Sequence, residues 1–93
     1  MIIGILTIRL HIPQSNSLKA KRQVIKSLKD RLRNNFNVSV SEVDSHDKWQ
    51  LADIAIATVS SDKAHCNSAL SNVLNFIESI KGASLIDHSI ELI

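Results

Sequence analysis

Five cations recur at steps of three and four along one short stretch of this chain: Lys19, Arg22, Lys26, Lys29 and Arg33. At helical rotation, with Leu18 at zero, they fall at about 100°, 40°, 80°, 20° and 60°, inside one sector roughly 80° wide. They extend over about 21 Å of helix axis. Such a row offers phosphates a regular track of positive charge, which is the chemistry of RNA contact. Like charges at i and i+4 destabilise a helix by a few tenths of a kcal/mol per pair, and Asp30 is the only acid between residues 17 and 36. A plain solvated face more often mixes signs. The competing reading is such a face, neutralised by acids from the second strand and its hairpin.

Lys21 stands apart. At about 300° it lies inside the apolar stripe of the same helix. The expectation is that its stem follows apolar surface and its ammonium snorkels past the sheet edge. The alternative is an ion pair with a carboxylate such as Asp44 or Asp53, or a bound ligand.

The aromatic residues limit how RNA is met. Phe36 and Phe76 fall at or beside helical core positions, leaving Trp49 alone. Strands 1 and 3 carry no aromatic on which a base could stack. The expected contact is therefore through phosphates and shape, with no DNA sequence readout. Trp49 sits in a hairpin, where an exposed Trp suits the anchor of a protein partner.

Catalytic groupings are weak. Asp44, His46, Asp47 and Asp53 surround one turn and supply ligand types for a divalent ion. They lack tight HxxxH or CxxC spacing, and turns attract Asp and Ser for backbone reasons alone. Metal-dependent activity at Asp44, His46 and Asp47 is the weakest of the functional readings, and no metal or cofactor is expected. Cys66 falls on the apolar stripe of the second helix and reads as a buried thiol. His11, His65 and His88 are scattered; His88 falls in the inward phase of the last strand and reads as a core residue. Gly4 and Gly82 are the only glycines, so there is no Gly-rich phosphate loop. Residues 13–16 contain no Arg with which a loop after strand 1 could cradle a phosphate ester. The expectation is a non-enzymatic module.

The elements that must position these residues follow from periodicity. Residues 2–12 alternate as a strand, ended by Pro13. Ser17 caps a helix of about 19 residues, with Leu18, Ile25, Leu28, Leu32 and Phe36 on its apolar stripe. Asn34, Asn35 and Asn37 suit a left-handed helix end. Residues 38–44 form a second strand, its phase repaired by a bulge near Ser41 and Glu42. Residues 50–60 form a third. Ser61 caps a second helix, with Asp62 at its positive end and Cys66, Leu70, Val73, Leu74, Ile77 and Ile80 on its stripe. Gly82 is the left-handed stop, and residues 84–93 form the last strand. The order βαββαβ in one domain, residues 1–93, is the ferredoxin-like α+β pattern: a four-stranded antiparallel sheet with two helices on one face. Strands 1 and 3 are apolar on both faces, so a homodimer packed sheet to sheet is the expected cover for the second.

The totals agree with a single soluble domain. The chain has 93 residues, 44% hydrophobic and 22% charged, which excludes disorder. No apolar run reaches the roughly 18 residues of a membrane span. Arg9 interrupts the apolar N-terminus, which argues against a signal peptide, and one cysteine fits a reducing cytoplasm. The net charge of +2 conceals a dipole. Residues 17–36 hold seven basic residues and one acid, a charge of +6, while the remainder holds four basic and eight acidic residues, −4.

Ser17-Leu18-Lys19-Ala20-Lys21-Arg22, Lys26-Ser27-Leu28-Lys29, Asn37-Val38-Ser39-Val40, Glu42-Val43-Asp44 and Asp47-Lys48-Trp49-Gln50 together resemble the YlxP-like family of small bacterial proteins. The similarity runs from the Ile12-Pro13 loop through the third strand, and the length matches. The resemblance implies a ferredoxin-like fold in a cytoplasmic protein of unknown function. Such proteins tend to be encoded beside translation and ribosome-maturation factors, which by association implies an RNA or ribosomal-subunit partner. It carries over no catalytic residue. Ala20 stands where family members often have Glu, and Ser41 where Ala is common. The main rival to the RNA reading is a protein-interaction or dimerisation module that offers helix 1 to an acidic partner protein.

Overall fold

Alternating apolar residues on β1 (Ile2–His11) and β3 (Leu51–Ser60) place Leu6, Ile8 and Leu10 opposite Ile56, Ile54 and Ala52 at the centre of a four-stranded antiparallel sheet. β2 (Ser39–Asp44) and β4 (Ser84–Leu92) flank them, in the order β2-β3-β1-β4. α1 (Leu18–Asn35) and α2 (Lys63–Glu78) complete the βαββαβ chain. This is the ferredoxin-like α+β fold. The computed structural model describes residues 1–93.

One hydrophobic core lies between sheet and helices. It joins Leu6, Ile8, Leu10, Ile12, Ile54 and Ile56 to Ile25, Leu28 and Leu32 of α1 and to Leu70, Val73 and Ile77 of α2. Gly4 marks the closest approach of α2 to β1. A Cβ there would lie 2.5 Å from Cys66 Sγ and 2.8 Å from Leu70 Cδ1, so any larger residue would force these side chains to shift. Cys66 is buried against it.

Helix ends follow local chemistry. The Ser17 hydroxyl accepts the Ala20 N–H at 3.0 Å. At α2 the cap is Asp62, whose carboxylate accepts the His65 N–H at 3.0 Å. Ser61 is therefore not the cap. A carboxylate one residue later caps the first turn in the same way and also meets the helix dipole. The Asn cluster after α1 does not adopt the left-handed conformation either. Phe36 ends the helix in extended backbone, and its ring meets Phe76 edge-on at 5.7 Å. Positive φ occurs at Ser45 and Gly82 only. The β2 bulge lies between Glu42 and Asp44, slightly beyond the expected place, and it turns Val43 outward.

His88 is exposed rather than buried. It stands opposite Ile8 in register, but on the edge strand β4, where α2 ends nearby at Glu78.

The second face of the sheet carries no element. Toward one end it is apolar, with Ile3 opposite Val59 and Ile5 opposite Ala57; toward the other it is charged, with Arg9 opposite both Asp53 and Asp87.

Candidate functional site

The two flanks of α1 have different neighbours. Arg31 turns toward α2, its guanidinium carbon 5.5 Å from the centroid of the Phe76 ring. Arg33 turns the opposite way and donates to the Val40 carbonyl oxygen at 3.3 Å. Val40 lies on β2, the edge strand, so this carbonyl belongs to the free edge of the sheet. Capping it with a cation blunts an edge that could otherwise pair with another strand. Lys19, Arg22, Lys26 and Lys29 share the flank of Arg33 by helical rotation, so the five cations form a row overhanging β2.

Lys19, Arg22, Lys26 and Arg33 are exposed and Lys29 is half-buried. Lys26 pairs with Asp30 at 3.0 Å, an exposed contact that holds neither charge firmly. No carboxylate lies within 4.0 Å of Lys19, Arg22, Lys29 or Arg33. Among the acids that were candidates to neutralise the row, three have partners elsewhere, while Asp47 is exposed and has none. Glu42 is taken by Lys21 at 2.9 Å. Asp53 is taken by Arg9 and by the Ser45 hydroxyl. Asp44 accepts the Ser45 N–H at 2.7 Å.

Lys21 does not snorkel. It is fully buried, and its ammonium donates to the carbonyl oxygens of Ser45 at 2.7 Å, Leu51 at 3.2 Å and His46 at 3.5 Å. Its ion-pair partner is Glu42, not Asp44 or Asp53. Glu42 Oε2 lies 2.9 Å from the same ammonium, in close charge contact but outside hydrogen-bond alignment. The bulge and the left-handed Ser45 create this cradle, since they turn several hairpin carbonyls toward one point. Glu42 was the missed residue. A signal existed: it shares the inward phase of Val40, so an acid on the buried side of β2 faced a lysine on the buried side of α1.

From this clamp a polar chain crosses to the open face. Ser45 Oγ donates to Asp53 Oδ2 at 2.6 Å, and Arg9 donates to both Asp53 oxygens, at 2.8 and 3.3 Å. The Arg9 guanidinium and the Ser45 hydroxyl together hold the Asp53 carboxyl below the usual carboxylate range. The same bond and charge raise Arg9 further. The Arg9–Asp53 pair follows from strand register, which sets the two directly opposite.

Around the hairpin, Asp44, His46, Asp47 and Asp53 do not converge. His46 Nε2 lies 3.3 Å from the Glu42 carbonyl oxygen, Asp44 and Asp53 have the partners given above, and Asp47 is exposed. No three His, Cys, Asp or Glu side chains gather to hold a metal ion. Trp49 is 55% exposed at the hairpin. The neighbouring Gln50 ties that hairpin to the loop before α1 through the Pro13 and Ser15 carbonyl oxygens.

No helix is long and apolar enough to cross a membrane. Residues 3–90 match the family model described as protein of unknown function, DUF503. The chain is 41% identical over 78 residues to the uncharacterized protein YlxP of Bacillus subtilis (strain 168), covering 84% of this chain and 85% of that protein. Lys21, Glu42 and Asp44, among the residues that carried the resemblance, have structural partners in the clamp. The chain belongs to the DUF503 family of proteins of unknown function.

Proposed function

We propose that this protein is a non-enzymatic RNA-associated module of the cytoplasm that docks on ribosomal RNA through the outer flank of α1. Lys19, Arg22, Lys26, Lys29 and Arg33 meet phosphates, and base sequence is not read. The observation that supports this reading is the lack of counter-charge. Four of the five cations have no carboxylate within 4.0 Å, and Glu42 and Asp53 are paired with Lys21 and Arg9. A row of like charges costs the isolated helix stability, so an anionic partner is its natural complement.

The test is co-sedimentation with purified bacterial ribosomal subunits at low and high salt, for the unmodified protein and an Arg22→Glu/Lys29→Glu variant. Salt-sensitive binding that the variant loses supports the reading. No sedimentation at low salt, or equal binding of both proteins, overturns it.

A second reading, dimerisation, draws on the open sheet face. Ile3, Ile5, Ala55 and Ala57 are only half-buried there and Val59 is 61% exposed. A second copy packed on this face would cover them. Sedimentation equilibrium of the unmodified protein and of Val59→Asp tests it: a dimer that the substitution dissociates supports the reading, and a monomer at high concentration rejects it. The two readings use different faces, so each test leaves the other intact.

A further inference from the structure

α2 stops at Glu78 while α1 continues past it, and the space beside α1 is left as a groove of about 460 Å³. Leu10, Leu28 and Ile77 supply apolar surface from the sheet and both helices, and Val24 and Ile80 form partly exposed walls. Ala20, Ser27 and Ala83 are small, which keeps the groove open. Its volume lies within the range of small-molecule sites, which combine an apolar lining with a few fixed polar groups.

The polar groups here have one sign. Arg31 and Lys81 line the groove, and no acid does. Neither cation has a carboxylate within 4.0 Å. The Arg31 guanidinium carbon also lies within cation–π distance of the Phe76 ring, 5.5 Å from its centroid. A guanidinium near an aromatic ring and without a counter-ion suits a planar anion, which its fork of donors can meet bidentately.

We infer that this groove binds a small amphiphilic carboxylate, with its apolar body against Val24, Leu28, Ile77 and Ile80 and its carboxylate toward Arg31 and Lys81. The site lies on the flank of α1 opposite the basic row and does not depend on the RNA reading.

The experiment is an amide-resolved NMR titration of the intact protein with decanoate below its micelle concentration. Decanol and decylammonium serve as matched probes that remove or invert the charge. The inference expects saturable shifts with decanoate, centred on Ala20–Ser27 and Ile77–Ala83, and at least about tenfold weaker binding of the other two, the scale of one charge-assisted contact. Lys81→Gln, at an exposed position, should weaken decanoate to a similar degree without altering the fold, and Ser27→Trp should block the groove. Equal affinity for decanoate and decanol overturns the inference, as do shifts centred on the open sheet face. So does an absence of saturation for the folded, unmodified protein.

Discussion

The Lys21 ammonium donates to three hairpin carbonyls, with the Glu42 carboxylate 2.9 Å away. This joins α1 to the β2–β3 hairpin at one buried point. Removing the cation strands a buried carboxylate and several carbonyls. Lys21→Met is therefore expected to destabilise the protein by about 3–5 kcal/mol in denaturant unfolding. Adding Glu42→Gln should recover part of that loss, because the uncompensated charge is then gone. A single-variant loss below about 1 kcal/mol would show that the pair is not closed in solution. Asp53 gives a pH signature. Its carboxyl is held below the ordinary range by Arg9 and Ser45, so the unfolded chain takes up its proton first as pH falls. The stabilisation is complete above the ordinary carboxylate pKa of about 4 and is lost as pH falls toward the lower native value. Asp53→Asn should lower stability at neutral pH and flatten the acid limb of a stability–pH curve. An unchanged acid limb would contradict the assignment.

At the scale of elements, Gly4 decides how closely α2 packs on β1. Gly4→Ala would set a methyl group 2.5 Å from Cys66 Sγ and 2.8 Å from Leu70 Cδ1. Overpacking of this kind costs about 1–3 kcal/mol. The cost should fall when Leu70→Ala opens the site, and a thermal-melt cycle of the two substitutions measures that coupling. Element type and order were legible in the chain because periodicity survives without tertiary context. The apolar steps of α1 and the alternation of β1 and β3 each state their own face. What failed was local and depended on neighbours. Lys21 reads as a snorkelling lysine until the bulge at Val43 and the left-handed Ser45 bring hairpin carbonyls to it. His88 reads as inward until the sheet order leaves β4 at an edge. Ser61 and Asp62 are both competent caps, and the backbone selects one.

Across the whole molecule, three faces of different chemistry are open to solvent. The outer flank of α1 is cationic, the groove on its inner flank is apolar with two cations, and the open sheet face runs from apolar to charged. The basic row was visible in the sequence as spacing. Whether acids neutralise it was not, because that depends on where Glu42, Asp44 and Asp53 point. Reversing charge on this row should not unfold the protein. Arg22→Glu/Lys29→Glu relieves like-charge contacts along the helix, so its melting temperature is expected to stay level or rise slightly. A loss of RNA binding in this variant would then be a loss of contact rather than of fold.

The most direct measurement is the affinity for ribosomal RNA as a function of salt, for the unmodified protein and for Arg22→Glu/Lys29→Glu. Five cations on phosphates predict a log–log slope of about −3.5 to −4.5, and the variant should bind weakly with a slope shallower by about 2. A flat salt dependence, or equal affinity of the two proteins, would contradict the assignment of the α1 flank to RNA.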